Sequence, residues 1–399
     1  MRKLKILHCV ESYYPSIGGM QEVVKQLSER LAEAGHEVTV ATSASLKRVE
    51  SEHNKVQIKS FKIQGNLVRG MRGEIERYRT FVRNGKFDVV TLFAAQQWAT
   101  DAILDLLPDI RAKKVFVPTG FSGLFLPQYH DYFERMSKWL QEFDMNVFLS
   151  NDYRDINFAR AHSVDRIMVI PNGAGADEFL PNSNVDIRKE LGISKNDTLI
   201  LHVGSHTGIK GHAEAIRIFR KASIKDATLL IVANDLGGGC TRSCKLAAML
   251  SKFYPSQKAA RKTVRVVSLD RVTTVAAYKT ADLFLFPSNI ECSPLVLFEC
   301  MASKTPFLTT DVGNAREIIE WSHSGQLLPT RIDKAGFSRA DCAKSAQMLK
   351  SLVVDAKLRI NMQESGFLAW SKSFTWEKIA QEYESLYLNL TGTSDRVKA

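Results

Sequence analysis

The chain alternates short runs of β-branched and aromatic residues with longer amphipathic stretches. In the first half, the runs typical of strands are residues 4–10, 37–41, 56–61, 88–93, 114–117, 145–149 and 167–170. The first two runs are separated by residues 20–34, whose valines and leucines recur at helical spacing. Gly35 follows as a typical helix-terminating glycine. This alternation predicts βα units around a parallel sheet.

The sequence Pro-Asn-Gly-Ala-Gly at residues 171–175 interrupts this rhythm. The strand-like runs then resume at residues 199–203, 228–233, 264–267, 283–286 and 306–309. Because 399 residues exceed the usual size of one hydrophobic core, the pattern predicts two α/β domains, residues 1–172 and 173–372. An amphipathic helix is predicted at residues 373–390, followed by a frayed polar tail at 391–399.

The composition is that of a soluble globular protein, with 45% hydrophobic and 24% charged residues. The apolar run near the start is too short for a secretion signal, and we find no run long enough to cross a bilayer. These features predict a cytoplasmic protein.

A net charge of +11 favours polyanionic partners. The basic segment 55–86 is either a solvated helix face or a patch for an anionic membrane surface, and we find no nucleic-acid recognition motif.

Six cysteines are scattered along the chain. Cys240 and Cys244 are four residues apart, but no second cysteine or histidine pair follows at a ligand spacing. We therefore predict reduced thiols and no metal site.

Residues 287–299 contain the most informative motif. The segment leaves a predicted buried strand at its carboxyl end, where open α/β sheets bind ligands. Ser293 suits the N-cap of a following helix and Pro294 its first position. The free backbone amides of Leu295 and Val296 could then hold a phosphate.

Two carboxylates flank this predicted helix start, Glu291 before it and Glu299 within it. A carboxylate accepts two hydrogen bonds at once, which suits the vicinal hydroxyls of a ribose or a hexose. The alternative is that both glutamates lie on solvent.

Two further loops follow predicted strands. Gly204 and Ser205 begin one loop, which ends in Lys210-Gly211 at a predicted helix start. The lysine could bind a diphosphate there, or the loop could be a solvated turn. The other loop follows the first strand and ends in Gly18-Gly19, which permits close approach of a substrate. It lacks the G-x-G-x-x-G pattern of dinucleotide binders.

Taken together and in this order, these motifs resemble the retaining glycosyltransferases of family 4. The resemblance includes Gly18-Gly19, the segment Val169-Ile-Pro-Asn-Gly173, the Gly204…Lys210-Gly211 loop, Glu291-x7-Glu299 and the closing helix with Trp376. It implies the GT-B fold, in which two Rossmann-like domains face each other across a cleft. In that fold the C-terminal helix crosses back to the first domain.

The resemblance also implies roles for donor-site residues. Lys210 would bind the donor diphosphate, Glu299 the nucleotide ribose and Glu291 the sugar hydroxyls. The remaining donor-site residues would be Gly18, Gly19, Gly204, Ser205, Leu269, Asp270, Ser293, Pro294, Leu295 and Val296. Within this set, Leu269 and Asp270 would flank the base, and Gly19 would close over the phosphate. Ser205 stands where the family commonly has an arginine.

The acceptor would bind to the first domain. The candidate residues there are Tyr13, Tyr14, Thr119, Gly120 and Phe121. The last three belong to a segment that replaces a histidine-bearing loop common in the family.

These features predict transfer of a hexose-type sugar from a nucleotide-diphosphate donor to a glycan or lipid-linked glycan, with retention of configuration and without metal or cofactor. Polysaccharide, lipopolysaccharide or capsule biosynthesis at the inner membrane face would suit such a protein. The alternatives are a nucleotide-sugar 2-epimerase of the same fold and a non-catalytic nucleotide-sugar-binding subunit. Ser205 in place of arginine favours the latter.

Overall fold

The computed structural model describes residues 2–234, 238–251 and 253–392. The chain forms two compact units. Unit 1 comprises Met1–Asn172 and the closing segment from Trp376, and unit 2 comprises Gly173–Thr375.

Unit 1 is built on an eight-stranded sheet. Its strands, including a short hairpin outside the sheet, are β1 (Lys5–Cys9), β2 (Glu37–Ser43), β3 (Glu52–His53), β4 (Val56–Phe61), β5 (Ile63–Gln64), β6 (Arg72–Gly73), β7 (Val89–Phe93), β8 (Lys113–Val117), β9 (Met145–Phe148) and β10 (Ile167–Val169). Its helices are α1 (Gly19–Glu33), α2 (Ile75–Asn84), α3 (Trp98–Asp101), α4 (His130–Glu142) and α5 (Arg154–Ala161), with 3₁₀ turns at Leu104–Asp109 and Pro127–Tyr129. The strand order is β10-β9-β8-β7-β1-β2-β4-β3, parallel except for β3. This is a Rossmann-like order, because the chain winds to one side from β1 and then to the other from β7.

Unit 2 has a six-stranded parallel sheet and a separate hairpin. Its strands are β11 (Thr198–Val203), β12 (Ala227–Val232), β13 (Lys262–Val267), β14 (Leu283–Phe286), β15 (Phe307–Thr309), β16 (Gly325–Leu327), β17 (Thr330–Ile332) and β18 (Ser338–Ala340). Its helices are α6 (Ala176–Phe179), α7 (Ile187–Glu190), α8 (His212–Lys221), α9 (Gly239–Ser251), α10 (Pro255–Ala259), α11 (Arg271–Thr280), α12 (Leu295–Ala302), α13 (Ala315–Ser322), α14 (Cys342–Val354) and α15 (Ala356–Ser373). The sheet order is β13-β12-β11-β14-β15-β16.

The central strands of unit 2 are buried on both faces. Along β14, Phe284 and Phe286 pack into one hydrophobic core, whereas Leu283 and Leu285 pack into a second core on the opposite face. A parallel strand covered by helices on both sides requires such an uninterrupted apolar run. The continuous hydrophobic run at residues 283–286 therefore predicted this strand correctly.

The last described helix, α16 (Trp376–Leu390), packs on unit 1. Glu377 on α16 pairs with Arg30 of α1 at 2.7 Å. The hydroxyl of Tyr387 is 2.7 Å from Thr91 Oγ1 and 3.2 Å from His8 Nε2, inside the unit. The C-terminal helix thus returns to the first domain as expected.

Every strand predicted from the hydrophobic pattern is present, with ends shifted by at most two residues. The predicted start of the closing helix at residue 373 is wrong, since α16 begins at Trp376. Ser373 ends α15, and the amide of Ala174 donates to the carbonyl of Phe374 at 3.0 Å, which keeps these residues in unit 2. Of the predicted tail, residues 393–399 lie outside the described residues. None of the described helices combines the length and apolarity needed to cross a membrane.

Candidate functional site

The carboxyl ends of β11 and β14 lie side by side in unit 2, because these strands pair in the sheet. From β11 the chain turns to β12 on one side of the sheet, and β14 lies on the other side. Such a reversal in strand order leaves a crevice at the carboxyl edge, and open α/β sheets bind ligands there. The loops that leave this edge are residues 204–211 and 287–294, which lie within the two segments predicted to bind the donor, 204–211 and 287–299.

The two loops are tied together. The amide of Asn289 donates to the carbonyl of Ile209 at 2.9 Å. Gly211 adopts φ +73°, and a Cβ atom there would lie 1.9 Å from the carbonyl oxygen of Pro287. Only glycine permits both this backbone conformation and this approach. The Lys210-Gly211 motif therefore positions the lysine against the neighbouring loop.

Lys210 and Glu291 form an ion pair at this junction. The ammonium Nζ lies 2.7 and 2.8 Å from the two carboxylate oxygens. Ser288 also donates a hydrogen bond to Glu291 at 2.7 Å. The lysine and glutamate side chains are only 25% and 10% exposed. The pair is consequently shielded from bulk water but open enough for an incoming anion to reach the lysine.

Helix α12 begins beside Glu291, one residue later than predicted. Pro294 is the N-cap and Leu295 the first helical residue, which corrects the assignment of Ser293 as N-cap and Pro294 as first residue. The turn before α12 is held by Gly313, whose φ is +54° and where an added Cβ would lie 2.1 Å from the carbonyl oxygen of Cys292. The first amides of α12 still lie at the carboxyl edge of the sheet.

Glu299 lies within α12 and is buried at 7% exposure. Its carboxylate pairs with Arg271 at 2.5 Å, and the same guanidinium binds both oxygens of Glu178 at 2.7 Å. Arg271 begins α11, directly after Leu269 and Asp270. The carboxylate of Asp270 accepts from the amide of Thr273 at 2.7 Å and so caps this helix.

The sequence pattern did not identify Arg271. The sequence shows only that Arg271 follows the helix-capping Asp270. That position does not indicate which carboxylate the guanidinium contacts. If Glu299 holds the nucleotide ribose, as the family resemblance implies, Arg271→Met should weaken nucleotide binding about tenfold, because Glu299 loses the cation that orients it, while kcat changes less. Calorimetric titration with the nucleotide measures this effect.

Arg316→Met is a suitable control for that measurement. Arg316 is an exposed arginine of unit 2 whose ion-pair partner is Asp311. A lower melting temperature with unchanged nucleotide affinity in Arg271→Met would assign Arg271 a purely structural role.

A group of histidines surrounds the start of the 204–211 loop. His212 Nε2 donates to the carbonyl of Gly204 at 3.1 Å, and its ring stacks on His206 with centroids 4.6 Å apart. Burial lowers the pKa of His212 to about 4 and that of His202 to about 3, so both rings are neutral at pH 7. Ser205 is half-buried in this loop. The sequence pattern did not identify this histidine group.

The structure also brings Cys240 and Cys244 to this loop. His206 Nδ1 lies 3.4 Å from Cys240 Sγ. Because 34 residues separate the two side chains, no local ligand spacing reveals this contact.

The candidate residues of unit 1 have different surroundings. Gly18 and Gly19 mark the start of α1. Tyr14 stacks on His53 with ring centroids 3.7 Å apart. Tyr13 and Phe121 have side-chain exposures of 0% and 1%. Their assignment as acceptor contacts is corrected, since a side chain in the hydrophobic core cannot touch a substrate.

The backbone around Phe121 is unusual. Thr119, Gly120 and Phe121 have φ values of +58°, +103° and +45°. For the two non-glycine residues this conformation costs on the order of 1–3 kcal/mol each, and such strain clusters at functional sites. The amide of Gly120 donates to the buried carboxylate of Asp155 at 2.8 Å, which holds the turn at the carboxyl end of β8. Thr119 and Gly120 thus remain candidates for acceptor binding.

Comparisons with known proteins agree with this architecture. Residues 17–178 match the family described as Glycosyltransferase Family 4, and residues 183–340 match the family described as Glycosyl transferases group 1. The N-acetyl-alpha-D-glucosaminyl L-malate synthase of Bacillus anthracis is 23% identical over 94% of this chain and 95% of its own length.

Two further proteins are similar over most of their length. The lipopolysaccharide glucosyltransferase WaaG of Escherichia coli is 24% identical over 81% of this chain and 84% of its own. The solved structure of Anabaena HepE in complex with UDP and glucose is 16% identical, covers 96% of this chain and 99% of its own, and superposes with a TM-score of 0.72. With two family models spanning most of its residues, and with the strand order and motifs described above, this chain belongs to glycosyltransferase family 4 and has the GT-B fold.

Proposed function

We propose that unit 2 binds a nucleotide-diphosphate sugar at the edge formed by the 204–211 and 287–294 loops. The observation that carries this proposal is the partly buried Lys210–Glu291 ion pair at the junction of the two loops. A cation, a helix start and a carboxylate at one sheet edge provide partners for a diphosphate and for sugar hydroxyls. HepE, a solved structure of the same fold, contains UDP and glucose, which favours a uridine nucleotide.

The ion pair also determines how the site responds to the donor. In the structure Glu291 neutralises Lys210. An incoming diphosphate carries more negative charge than the carboxylate and competes for the lysine. Once Lys210 turns to the phosphate, Glu291 can still accept from Ser288 and would bind the sugar hydroxyls.

The nucleoside end of the donor would lie against Glu299. Arg271 holds this carboxylate by one oxygen, which leaves the other available to the ribose hydroxyls. Leu269 is half-buried just before α11 and offers an apolar surface to the base. Asp270 caps α11, so its side chain is a structural group rather than a base contact.

Transfer would break the bond between the anomeric carbon and the β-phosphate oxygen and form a bond to an acceptor hydroxyl oxygen on the same face of the sugar, while the hydroxyl proton passes to the leaving phosphate oxygen. The leaving diphosphate gains charge in this step. Lys210 and the first amides of α12 would stabilise that charge, and each such donor contributes about 2.7–4 kcal/mol in other enzymes. We further propose that the reaction needs no divalent metal, since Glu291 and Glu299 are each neutralised by a basic side chain.

A donor panel tests this proposal. UDP-, GDP-, ADP- and TDP-sugars are screened by thermal shift. A sugar nucleotide present at a concentration of about one hundred times its Kd stabilises the folded chain by about 2.7 kcal/mol. The selected donor is then incubated with a glycan acceptor without added Mg²⁺ or Mn²⁺, and the anomeric configuration of the product is read by NMR. We expect a UDP-sugar to bind and the product to retain the donor configuration.

The two alternative functions predict different results. A 2-epimerase would convert the sugar nucleotide in the absence of any acceptor. A non-catalytic subunit would bind the donor without either transfer or hydrolysis. An inverted product would refute retention but leave donor binding intact.

We propose a glycan or lipid-linked glycan on an anionic membrane surface as the acceptor. WaaG, a relative of this chain, is a lipopolysaccharide glucosyltransferase. The basic segment 55–86 of unit 1 carries a row of exposed cations, Lys55, Lys59, Lys62, Arg69, Arg72, Arg77, Arg83 and Lys86. Each cation near an anionic surface adds roughly 1 kcal/mol of attraction.

Vesicle flotation measures this attraction. We expect the protein to float with phosphatidylglycerol vesicles at low salt and not with phosphatidylcholine vesicles. Replacing Lys59, Arg69 and Arg72 together with glutamine should lower the partition coefficient by up to about a hundredfold. The control replaces Lys350 and Lys357, two exposed lysines of unit 2. Equal partitioning of both variants would refute a membrane role for the segment.

A further inference from the structure

Three soft or borderline ligand groups meet beside the 204–211 loop. Cys240 and Cys244 are one turn apart in α9, and His206 reaches them from the loop. One ligand atom of each residue lies within 4.8 Å of the other two. The His206 Nδ1 to Cys240 Sγ distance is 3.4 Å. None of these groups has a role in the proposed transfer reaction.

These distances suit a tetrahedral metal. Zinc bonds of about 2.0–2.1 Å to nitrogen and 2.3 Å to sulfur place neighbouring ligand atoms roughly 3.5–3.8 Å apart. The observed nitrogen–sulfur distance already lies close to that range. The Cys244 ligand atom lies within 4.8 Å of the other two, at most about 1 Å beyond that range.

The surroundings also suit a bound cation. His206 is 6% and Cys244 4% exposed, whereas Cys240 is half-buried. His206 and Cys244 are therefore shielded from bulk water, and a water molecule that reaches the more exposed Cys240 would supply the fourth ligand.

We propose that His206, Cys240 and Cys244 form a binding site for Zn²⁺ or a similar thiophilic divalent cation. Two thiolates and one imidazole are ligands that zinc prefers, whereas Mg²⁺ and Ca²⁺ require oxygen ligands. On binding, the two thiols release their protons to the buffer, and the metal centre becomes electrically neutral. Burial raises the pKa of the Cys244 thiol to about 12, so this thiol carries its proton until a metal displaces it.

Metal binding would link α9 to the 204–211 loop. The same loop carries Lys210, so the cation would restrict the motion of the segment that the proposed function assigns to the diphosphate. The metal site itself does not depend on that function, because metal binding can be measured without any sugar donor.

Cobalt is the probe for this site. The full-length chain is reduced, freed of metal with a chelator and titrated with Co²⁺. We expect one ion per chain, a thiolate-to-cobalt charge-transfer band in the near ultraviolet and the strong visible bands of tetrahedral cobalt. Equimolar Zn²⁺ should remove these bands. A folded chain that shows no charge-transfer band would overturn the proposal.

Single substitutions locate the ligands. Cys240→Ser and Cys244→Ser should each reduce the charge-transfer intensity by about half or abolish binding, and His206→Asn should weaken binding at least tenfold. Cys292→Ser and Cys342→Ser are matched controls, since both thiols are half-buried in unit 2. Loss of the band in a control, or its full retention in Cys240→Ser, would place the metal elsewhere.

Alkylation of the unmodified chain provides a test that does not require the variants to fold. Zn²⁺ should slow the reaction of Cys240 with iodoacetamide at least tenfold while leaving Cys342 unchanged, as read by mass spectrometry of the peptides. Equal rates with and without Zn²⁺ would show that the three residues share only a thiol–imidazole hydrogen bond.

Discussion

Replacing Lys210 with alanine is expected to lower kcat for sugar transfer by at least about a hundredfold, which corresponds to about 2.7 kcal/mol of lost transition-state stabilisation. The physical reason is that, in the proposed reaction, the ammonium faces the charge that develops on the leaving diphosphate. Because the lysine also attracts the diphosphate of the free nucleotide, the affinity for UDP should fall as well. Steady-state kinetics with the donor selected by thermal shift, together with calorimetric titration of UDP, measure both effects.

The control for this substitution is Lys221→Ala at the exposed end of α8. It removes the same charge from the same unit but lies at the opposite end of the helix from Gly211. A Lys210→Ala variant that turns over at the rate of this control would remove the lysine from the mechanism. Melting temperatures of both variants separate lost catalysis from lost folding.

Glu291→Gln is expected to have an effect of similar size on kcat, about a hundredfold, but the opposite effect on nucleotide binding. Glutamine is isosteric and can still accept from Ser288, so the loop should keep its shape. Without the negative charge, the site no longer opposes positive charge on the reacting sugar. Lys210 is meanwhile freed from its ion pair, and we expect UDP to bind several-fold more tightly.

This opposite effect on affinity is the specific signature of the Lys210–Glu291 ion pair. Glu320→Gln, on the exposed side of α13, is the control. Weaker UDP binding in Glu291→Gln would mean that the carboxylate contacts the nucleotide favourably and does not compete with it. Unchanged kcat would exclude Glu291 from the reaction.

The site was only partly predictable. The motif order identified Lys210, Glu291 and Glu299, because loops that follow parallel strands converge at the carboxyl edge of a sheet. Arg271 was missed, since its contact with Glu299 depends on how α11 packs beside α12. Tyr13 and Phe121 were assigned wrongly, because an aromatic side chain in a loop can turn either to solvent or to the core.

By itself, the sequence determined the βα alternation, the two-domain division, the positions of twelve of the eighteen described strands and the family. These properties follow from local hydrophobic periodicity and from turn residues such as Gly35, which act over a few positions. The tertiary structure alone decided which distant side chains meet: Lys210 with Glu291, Arg271 with Glu299, and His206 with Cys240. Those encounters depend on strand order and loop packing, which bring together residues separated by 28 to 81 positions.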